Sequence, residues 1–353
     1  MAVVPGKMSG VLLVGHGGPE MLRYDNNIPT PKPKQNEVVI RVSAAGVNNT
    51  DINTRIGWYS KSDQSSEDAS WAGQALKLPL IQGADVCGII VAVGANINKT
   101  RIGERVLIEP CLREVSDKIT DKPWYFGSEC NGGFAEYTVV AARHAYAINS
   151  TCTSEELASF PCSYSTAENM LTRSQVREND TVLITGASGG VGSAAIQLAK
   201  ARGAQVIAVT SSSKAASLLE IGADRTIERD DNYVEALGTD SVDVVIDLVG
   251  GEKWPSLLDV LRAGGRYAVS GAIGGPMVDL DLRTLYLKDL SFFGCTVLEP
   301  EVFGNLITHI EKGHIKPLIA EIHPLSDIAK AQKSFEKKNH IGKIVLSVWD
   351  DNK

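Results

Sequence analysis

The residues best suited to chemistry begin with a glycine run: Gly186, Ala187, Ser188, Gly189, Gly190, Val191 and Gly192. Without side chains in such a turn, backbone N–H groups can approach a pyrophosphate, and the positive end of a following helix faces the anion. The flanking residues agree with this use. Thr181 to Thr185 reads as an apolar strand, and residues 191 to 202 place Ala195, Leu198, Ala199 and Arg202 at spacings of three and four, giving a helix one apolar face. A further strand at Gln205 to Val209 completes a βαβ unit, the context that separates a dinucleotide loop from an ordinary glycine-rich turn. The end of that second strand then bears on which dinucleotide binds. NAD-selective folds place Asp or Glu there to accept from the ribose 2′-OH. This chain has Thr210, Ser211, Ser212, Ser213 and Lys214 instead, hydroxyls and a cation that suit a 2′-phosphate. Arg229, after the next short strand, could close over the same phosphate. The expectation is NADPH, with solvated surface charge as the alternative reading of Lys214 and Arg229.

The elements around this loop fall into two textures. Residues 9–14, 37–47, 87–94, 104–109 and 134–140 are short β-rich runs between Gly, Pro and Asn punctuation, the pattern of a small barrel or sandwich. From about 155 to 297 strands alternate with helices: strand 181–185, helix, strand 205–209, helix 214–221, strand 242–248, helix 254–262, strand 265–270 and strand 290–297. Such alternation predicts a parallel sheet covered by helices. Residues 301–312 and 326–337 read as helices, and Gly342 to Trp349 as a last strand. That strand needs a partner, so the chain is expected to return to the first domain. Residues 60–75 are polar and unpatterned, a loop or lid.

Composition sets the outer limits. A chain of 353 residues suggests two cores rather than one. A formal net charge of -7 gives no electrostatic reason to expect nucleic acid or an anionic membrane as partner. No apolar run approaches the roughly twenty residues that span a bilayer. Val11 to Val14 is too short for a signal-peptide core, so the default location is cytoplasmic. Six scattered cysteines read as reduced thiols rather than a disulfide framework.

Several segments together resemble the medium-chain dehydrogenase/reductase superfamily, and within it the zinc-independent quinone oxidoreductase-like branch. They are His16 to Glu20, Ala45 to Asp51, Gly83 to Gly88, Gly132 to Tyr137, the glycine loop, Leu219 to Asp224 and Gly342 to Leu346. The resemblance implies a GroES-like β-rich catalytic domain (1–155 and 298–353) and a doubly wound Rossmann domain (156–297), with hydride transfer from a nicotinamide in the cleft between them. It also implies a homodimer or homotetramer. Zinc-dependent relatives carry a Cys, a His and a second Cys where this chain has Asn48, Ala84 and Cys162. A catalytic zinc needs three protein ligands, so no metal is expected here. The structural zinc lobe is not expected either, since only Cys111 and Cys130 lie within residues 108–133.

Without a metal, a simple carbonyl is weakly polarised. Quinones and α,β-unsaturated carbonyls delocalise the incoming charge onto oxygen, so hydrogen-bond donors suffice. The resemblance makes Tyr59 the donor of a proton or hydrogen bond to that oxygen and lets Asn48 offer its amide N–H to substrate or nicotinamide ribose. Asp51 either orients its neighbours or closes an Asx turn. Trp58 and Trp71 either line an apolar pocket or belong to the core. Thr166 matches a position near the nicotinamide. Val249, Gly271 and Ala272 follow later strands at the carboxyl edge of the sheet, and Cys295 and Thr296 are similarly placed. The reading is an NADPH-dependent, zinc-independent reductase of a small electrophilic acceptor, a quinone or an enone or enal. Its alternatives are an alcohol dehydrogenase with an irregular metal site and a non-catalytic dinucleotide-binding relative.

Overall fold

The computed structural model describes residues 4–60, 70–73 and 75–349, so most of the loop expected over 60–75 lies outside the described residues. Contacts divide the chain into two units, residues 1–162 with 317–353, and residues 163–316. Both crossings fall later than the boundaries read from the sequence. For the second crossing the reason is packing. The helix Val302–Glu311 buries Val302, Phe303, Leu306, Ile307 and Ile310. Beyond it, the Lys316 N–H donates to Gln197 Oε1 (2.8 Å) and its carbonyl accepts from the Tyr164 hydroxyl (2.8 Å). The chain is therefore tied to the second unit until residue 316.

In the first unit, a seven-stranded sheet runs in the order Ile319–Pro324, Lys343–Ser347, Glu37–Val47, Asp85–Val93, Arg105–Ile108, Ala145–Ala147, with Tyr137–Ala141 also paired to Glu37–Val47. Glu37–Val47 is buried at every position except Arg41. A strand covered on both faces loses polar alternation. The core gathers Val38, Ile40, Val42, Ile90, Val106, Ile108 and Leu346. The last strand pairs antiparallel with Glu37–Val47, Ile344 opposite Val47 and Leu346 opposite Ala45. That register brings Lys343 beside the segment that leaves the central strand at Asn48.

The stretch 110–131 is a hairpin of Cys111–Val115 and Lys118–Tyr125, with Val115 paired to Lys118. Its two turn residues, Ser116 (φ 56°) and Asp117 (φ 63°), are both left-handed, as a tight two-residue hairpin loop requires. The Asp117 carboxylate pins the tip by accepting from the Gln35 and Asn36 amides at 3.0 and 2.8 Å. None of the six cysteines forms a disulfide. No helix among the described residues is long and apolar enough to cross a membrane.

The second unit holds a six-stranded sheet in the order Arg225–Glu228, Gln205–Thr210, Thr181–Ile184, Val242–Asp247, Leu261–Val269, Ser291–Gly294. Every neighbouring pair is parallel. The first strand in sequence, Thr181–Ile184, lies between the second and the fourth, so the winding reverses between it and Val242–Asp247. Open parallel sheets of this kind bind ligands at the carboxyl ends of those two strands. The strand expected over 290–297 stops at Gly294, leaving Cys295 and Thr296 beyond it.

Candidate active site

At the carboxyl end of Thr181–Ile184 the chain turns through Gly186 (φ 57°) and enters the helix Gly190–Ala201. Gly189 is its N-cap and supplies no side-chain hydrogen bond, so the first-turn amides of Gly190, Val191 and Gly192 have no capping side chain. Gly192 is sterically required. A Cβ there would lie 2.4 Å from the Gly186 carbonyl oxygen and 2.6 Å from Ala187 Cα. The bare N-terminus and close-packed loop fit the pyrophosphate of a dinucleotide.

Lys214 reaches this loop, its Nζ 3.5 Å from Ser188 Oγ. Burial, and then the like charge of Arg229, lower the Lys214 pKa. Two mutually repelling cations thus lie close together beside the loop, and a bound phosphate would relieve that repulsion. Arg229 is set there by its amide, which donates to the Thr210 carbonyl at 3.0 Å. Ser211 is the N-cap of the helix Ser212–Glu220, and Ser212 is exposed at its first position. Lys214 and Ser188 meet at one edge of the loop with Arg229 close to Lys214, and Ser211 and Ser212 open the helix that carries Lys214.

Val249 also closes on the loop, its Cγ2 3.3 Å from where a Cβ on Gly186 would stand. Gly271 lies against the same segment, where a Cβ would approach the Leu248 carbonyl oxygen at 2.8 Å, and Ala272 neighbours Gly250. Asp247 organises these turns, and the sequence reading passed it over. Fully buried, it accepts from Thr185 Oγ1 and the Tyr267 hydroxyl, each at 2.6 Å, and from the Val249 amide at 2.9 Å. Its place at the end of an apolar strand was the available signal. Thr166 lies half-buried on the helix Pro161–Arg173. Cys295 is buried, and its thiol donates to the Phe293 carbonyl at 3.5 Å, while Thr296 is exposed. Burial raises the Cys295 pKa to about 11, so its thiol is protonated.

In the first unit, a buried polar cluster forms where the central strand gives way to the helix Asn49–Ile56. Asn48 is the N-cap, and Asp51 reaches back so that its Oδ2 accepts from the Asn48 amide at 2.8 Å. Asp51 Oδ1 accepts from the Gly83 amide at 3.2 Å. Asp51 is thus a capping and positioning carboxylate. Burial raises its pKa to about 7, against the opposing hydrogen bond from Asn48. Asn48 donates through Nδ2 to Asp85 Oδ2 (2.8 Å), and its Oδ1 accepts from Lys343 Nζ. Lys343 Nζ also donates to Asp85 Oδ2 at 2.7 Å, and Asp85 Oδ1 accepts from the Cys162 amide. The expectation that the Asn48 amide serves a ligand is corrected here, since the protein itself engages both ends of that side chain. Gly46 makes the arrangement possible, because a Cβ there would lie 2.5 Å from Asp85 Oδ2.

The Tyr59 hydroxyl donates to Thr50 Oγ1 at 3.2 Å. Burial pushes its phenol above the ordinary tyrosine range despite hydrogen bonds with Thr50 and Asn53, so it is neutral and carries its proton. Trp58 is exposed and meets Tyr59 edge-on, centroids 5.5 Å apart. Trp71 stacks on Tyr125 at 4.9 Å and packs with Ala84 and Cys162.

These residues do not fit a catalytic zinc. Ala84 has no ligand atom, and the oxygen of Asn48 already takes a lysine ammonium that would repel a second cation. The Cys162 sulfur shares a hydrogen bond with the Tyr125 hydroxyl (3.0 Å), and burial raises its pKa to about 12. Lys343 completes this buried cluster and was not singled out from the sequence, where it stood only within the resembling segment Gly342 to Leu346 as a polar residue opening an apolar strand.

Comparison with known proteins agrees with this architecture. Residues 34–150 match the alcohol dehydrogenase GroES-like domain family, and residues 190–312 match the zinc-binding dehydrogenase family. The quinone oxidoreductase of Rattus norvegicus is 30% identical, the alignment covering 96% of this chain and 97% of the relative. An NAD-dependent alcohol dehydrogenase of Sulfolobus acidocaldarius is 32% identical over 97% of this chain and 100% of its own. A solved Sinorhizobium meliloti structure, described as a candidate alcohol dehydrogenase, superposes with a TM-score of 0.90 at 43% identity over 98% of both chains. The chain belongs to the medium-chain dehydrogenase/reductase superfamily, in its quinone oxidoreductase-like branch. It is an oxidoreductase-family protein with a nicotinamide dinucleotide fold.

Proposed function

We propose that this protein is an NADPH-dependent reductase that passes a hydride to a quinone or an α,β-unsaturated carbonyl without zinc. The observation that carries the reading is the buried Lys343 ammonium bound to Asn48 and Asp85, beside Ala84, since positions 48 and 84 are two of those at which the family resemblance puts metal ligands. The names of the alcohol dehydrogenase relatives favour a second reading, a dehydrogenase of simple alcohols. That chemistry needs strong carbonyl polarisation, and this cluster offers no metal ligand set for it.

When bound, the reduced nicotinamide supplies the hydride. The chain's own residues do the rest. The amides of Gly190, Val191 and Gly192 hold the pyrophosphate, with Gly186, Ser188 and Gly189 shaping the loop. Ser211, Ser212, Lys214 and Arg229 take the 2′-phosphate. Val249, Gly271, Ala272 and Thr166 face the cofactor, with Cys295 and Thr296 next to its nicotinamide end. Asp51 and Asn48 fix the start of the helix that leads to Tyr59. Hydride addition to a conjugated acceptor sends an electron pair onto oxygen, and the neutral Tyr59 phenol turns from Thr50 to donate its proton there. A second copy of the chain is proposed along the edge strand Ser291–Gly294, near the exposed Ile273, Met277, Leu282, Tyr286 and Leu287.

A panel of quinones, enals, enones and simple aldehydes, assayed with NADPH in EDTA, tests the reading. Turnover is expected with the activated acceptors and not with the aldehydes, and Tyr59→Phe should lower kcat by about a hundredfold while leaving NADPH binding unchanged. Equal turnover of simple aldehydes would favour the dehydrogenase instead.

A further inference from the structure

The last turn of the helix Val302–Glu311 carries a feature that the hydride chemistry does not use. The helix ends with Lys312 as C-cap, followed by Gly313 at φ 68°. The Gly313 amide donates to the Ile310 carbonyl and the His314 amide to the His309 carbonyl, each at 3.0 Å. This pair of reverse bonds is a Schellman motif, which locks the side chain three positions before the cap against the one two positions after it. In most helices those positions hold an apolar contact. Here they hold His309 and His314, with Nδ1 atoms 3.2 Å apart and ring centroids 5.3 Å apart.

The spacing has a chemical meaning. Imidazole nitrogens bind zinc at about 2.0–2.1 Å. Two nitrogens 3.2 Å apart and each that far from one ion subtend roughly 100°, between the octahedral and tetrahedral angles. The rings now aim at each other rather than at a third point. Histidine χ2 is a broad torsion, so a modest rotation turns both lone pairs toward a shared ion without moving the backbone.

We infer that His309 and His314 form a two-imidazole site for a borderline divalent cation of the zinc, nickel and copper class, held at the surface of the dinucleotide-binding unit. Water completes the coordination, since no set of three or more His, Cys, Asp or Glu side chains converges anywhere among the described residues. No residue of the Asn48 cluster or the glycine loop belongs to the site, so it stands whether or not the proposed reduction is correct.

The test uses the full chain after EDTA treatment. Titration calorimetry with Zn2+ alone should find one ion per chain, with affinity falling at least about tenfold in His309→Gln and equally in His314→Gln, because each leaves one imidazole where two chelate. With Cu2+, the electron paramagnetic resonance spectrum should show two imidazole nitrogens in the native chain and one in either variant. Unchanged affinity in both variants, or a loss in one alone, overturns the site. Should neither variant fold, the native chain decides through diethyl pyrocarbonate labelling: zinc must shield both histidines, and labelling unaffected by zinc also overturns it.

Discussion

Lys214 and Arg229 act on one another before any ligand arrives, and that repulsion predicts cofactor choice. A charge-assisted hydrogen bond to phosphate contributes about 1.5–3 kcal/mol, and Lys214 is only half-buried, so the low end applies. Lys214→Ala and Arg229→Ala are each expected to lower kcat/KM for NADPH about tenfold and to leave NADH nearly unchanged. Equal losses with both cofactors would place the two cations away from the 2′-phosphate. Asp51 gives a pH signature. Its folded pKa of about 7 lies above the unfolded carboxylate value, so the native state binds an extra proton between roughly pH 4 and 7. This group's contribution therefore falls as pH rises through that window. Asp51→Asn removes the titration, and thermal melts should show the variant gaining on the native protein as pH rises from 4 to 7. A difference constant with pH would contradict the assignment.

Strand register governs the other site. Lys343 reaches Asn48 and Asp85 because Ile344 pairs with Val47, and a slip of one residue would turn the lysine to the opposite face. Its side chain is 3% exposed and that of Asp85 0%, so removing one partner leaves a buried charge. Lys343→Met should cost about 3–5 kcal/mol in denaturant unfolding, and adding Asp85→Asn should recover most of it. If the double variant is no more stable than the single one, the pair is not coupled as described. Legibility from sequence also divides at this scale. The glycine loop and the strands around it were readable because their chemistry is local: Gly186 to Gly192 must be bare, and apolar periodicity continues on either side. The Lys343 contact joins residues 295 positions apart, and no local pattern records such a pairing. The Cys111–Tyr125 hairpin escaped for a different reason. Its turn uses Ser116 and Asp117 rather than the glycine or asparagine that usually marks left-handed backbone.

For the whole molecule, the two-fold texture of the sequence was legible, and the family relation places both parts in the medium-chain dehydrogenase/reductase architecture. Where the chain crosses between the units was less legible, because Lys316 belongs to the second unit through hydrogen bonds to Gln197 and Tyr164 rather than through composition. Candidate ligands were legible as residue types. Their use was not, as Asn48 shows: the amide read as a ligand donor is engaged by Asp85 and Lys343. The central claim is that hydride reaches an activated acceptor without zinc. It is tested most directly by measuring NADPH oxidation with a quinone and an enone against the zinc content of the same preparation, before and after EDTA dialysis. The account predicts a rate that does not change as zinc is removed. A rate that falls with the zinc and returns when zinc is restored would contradict it.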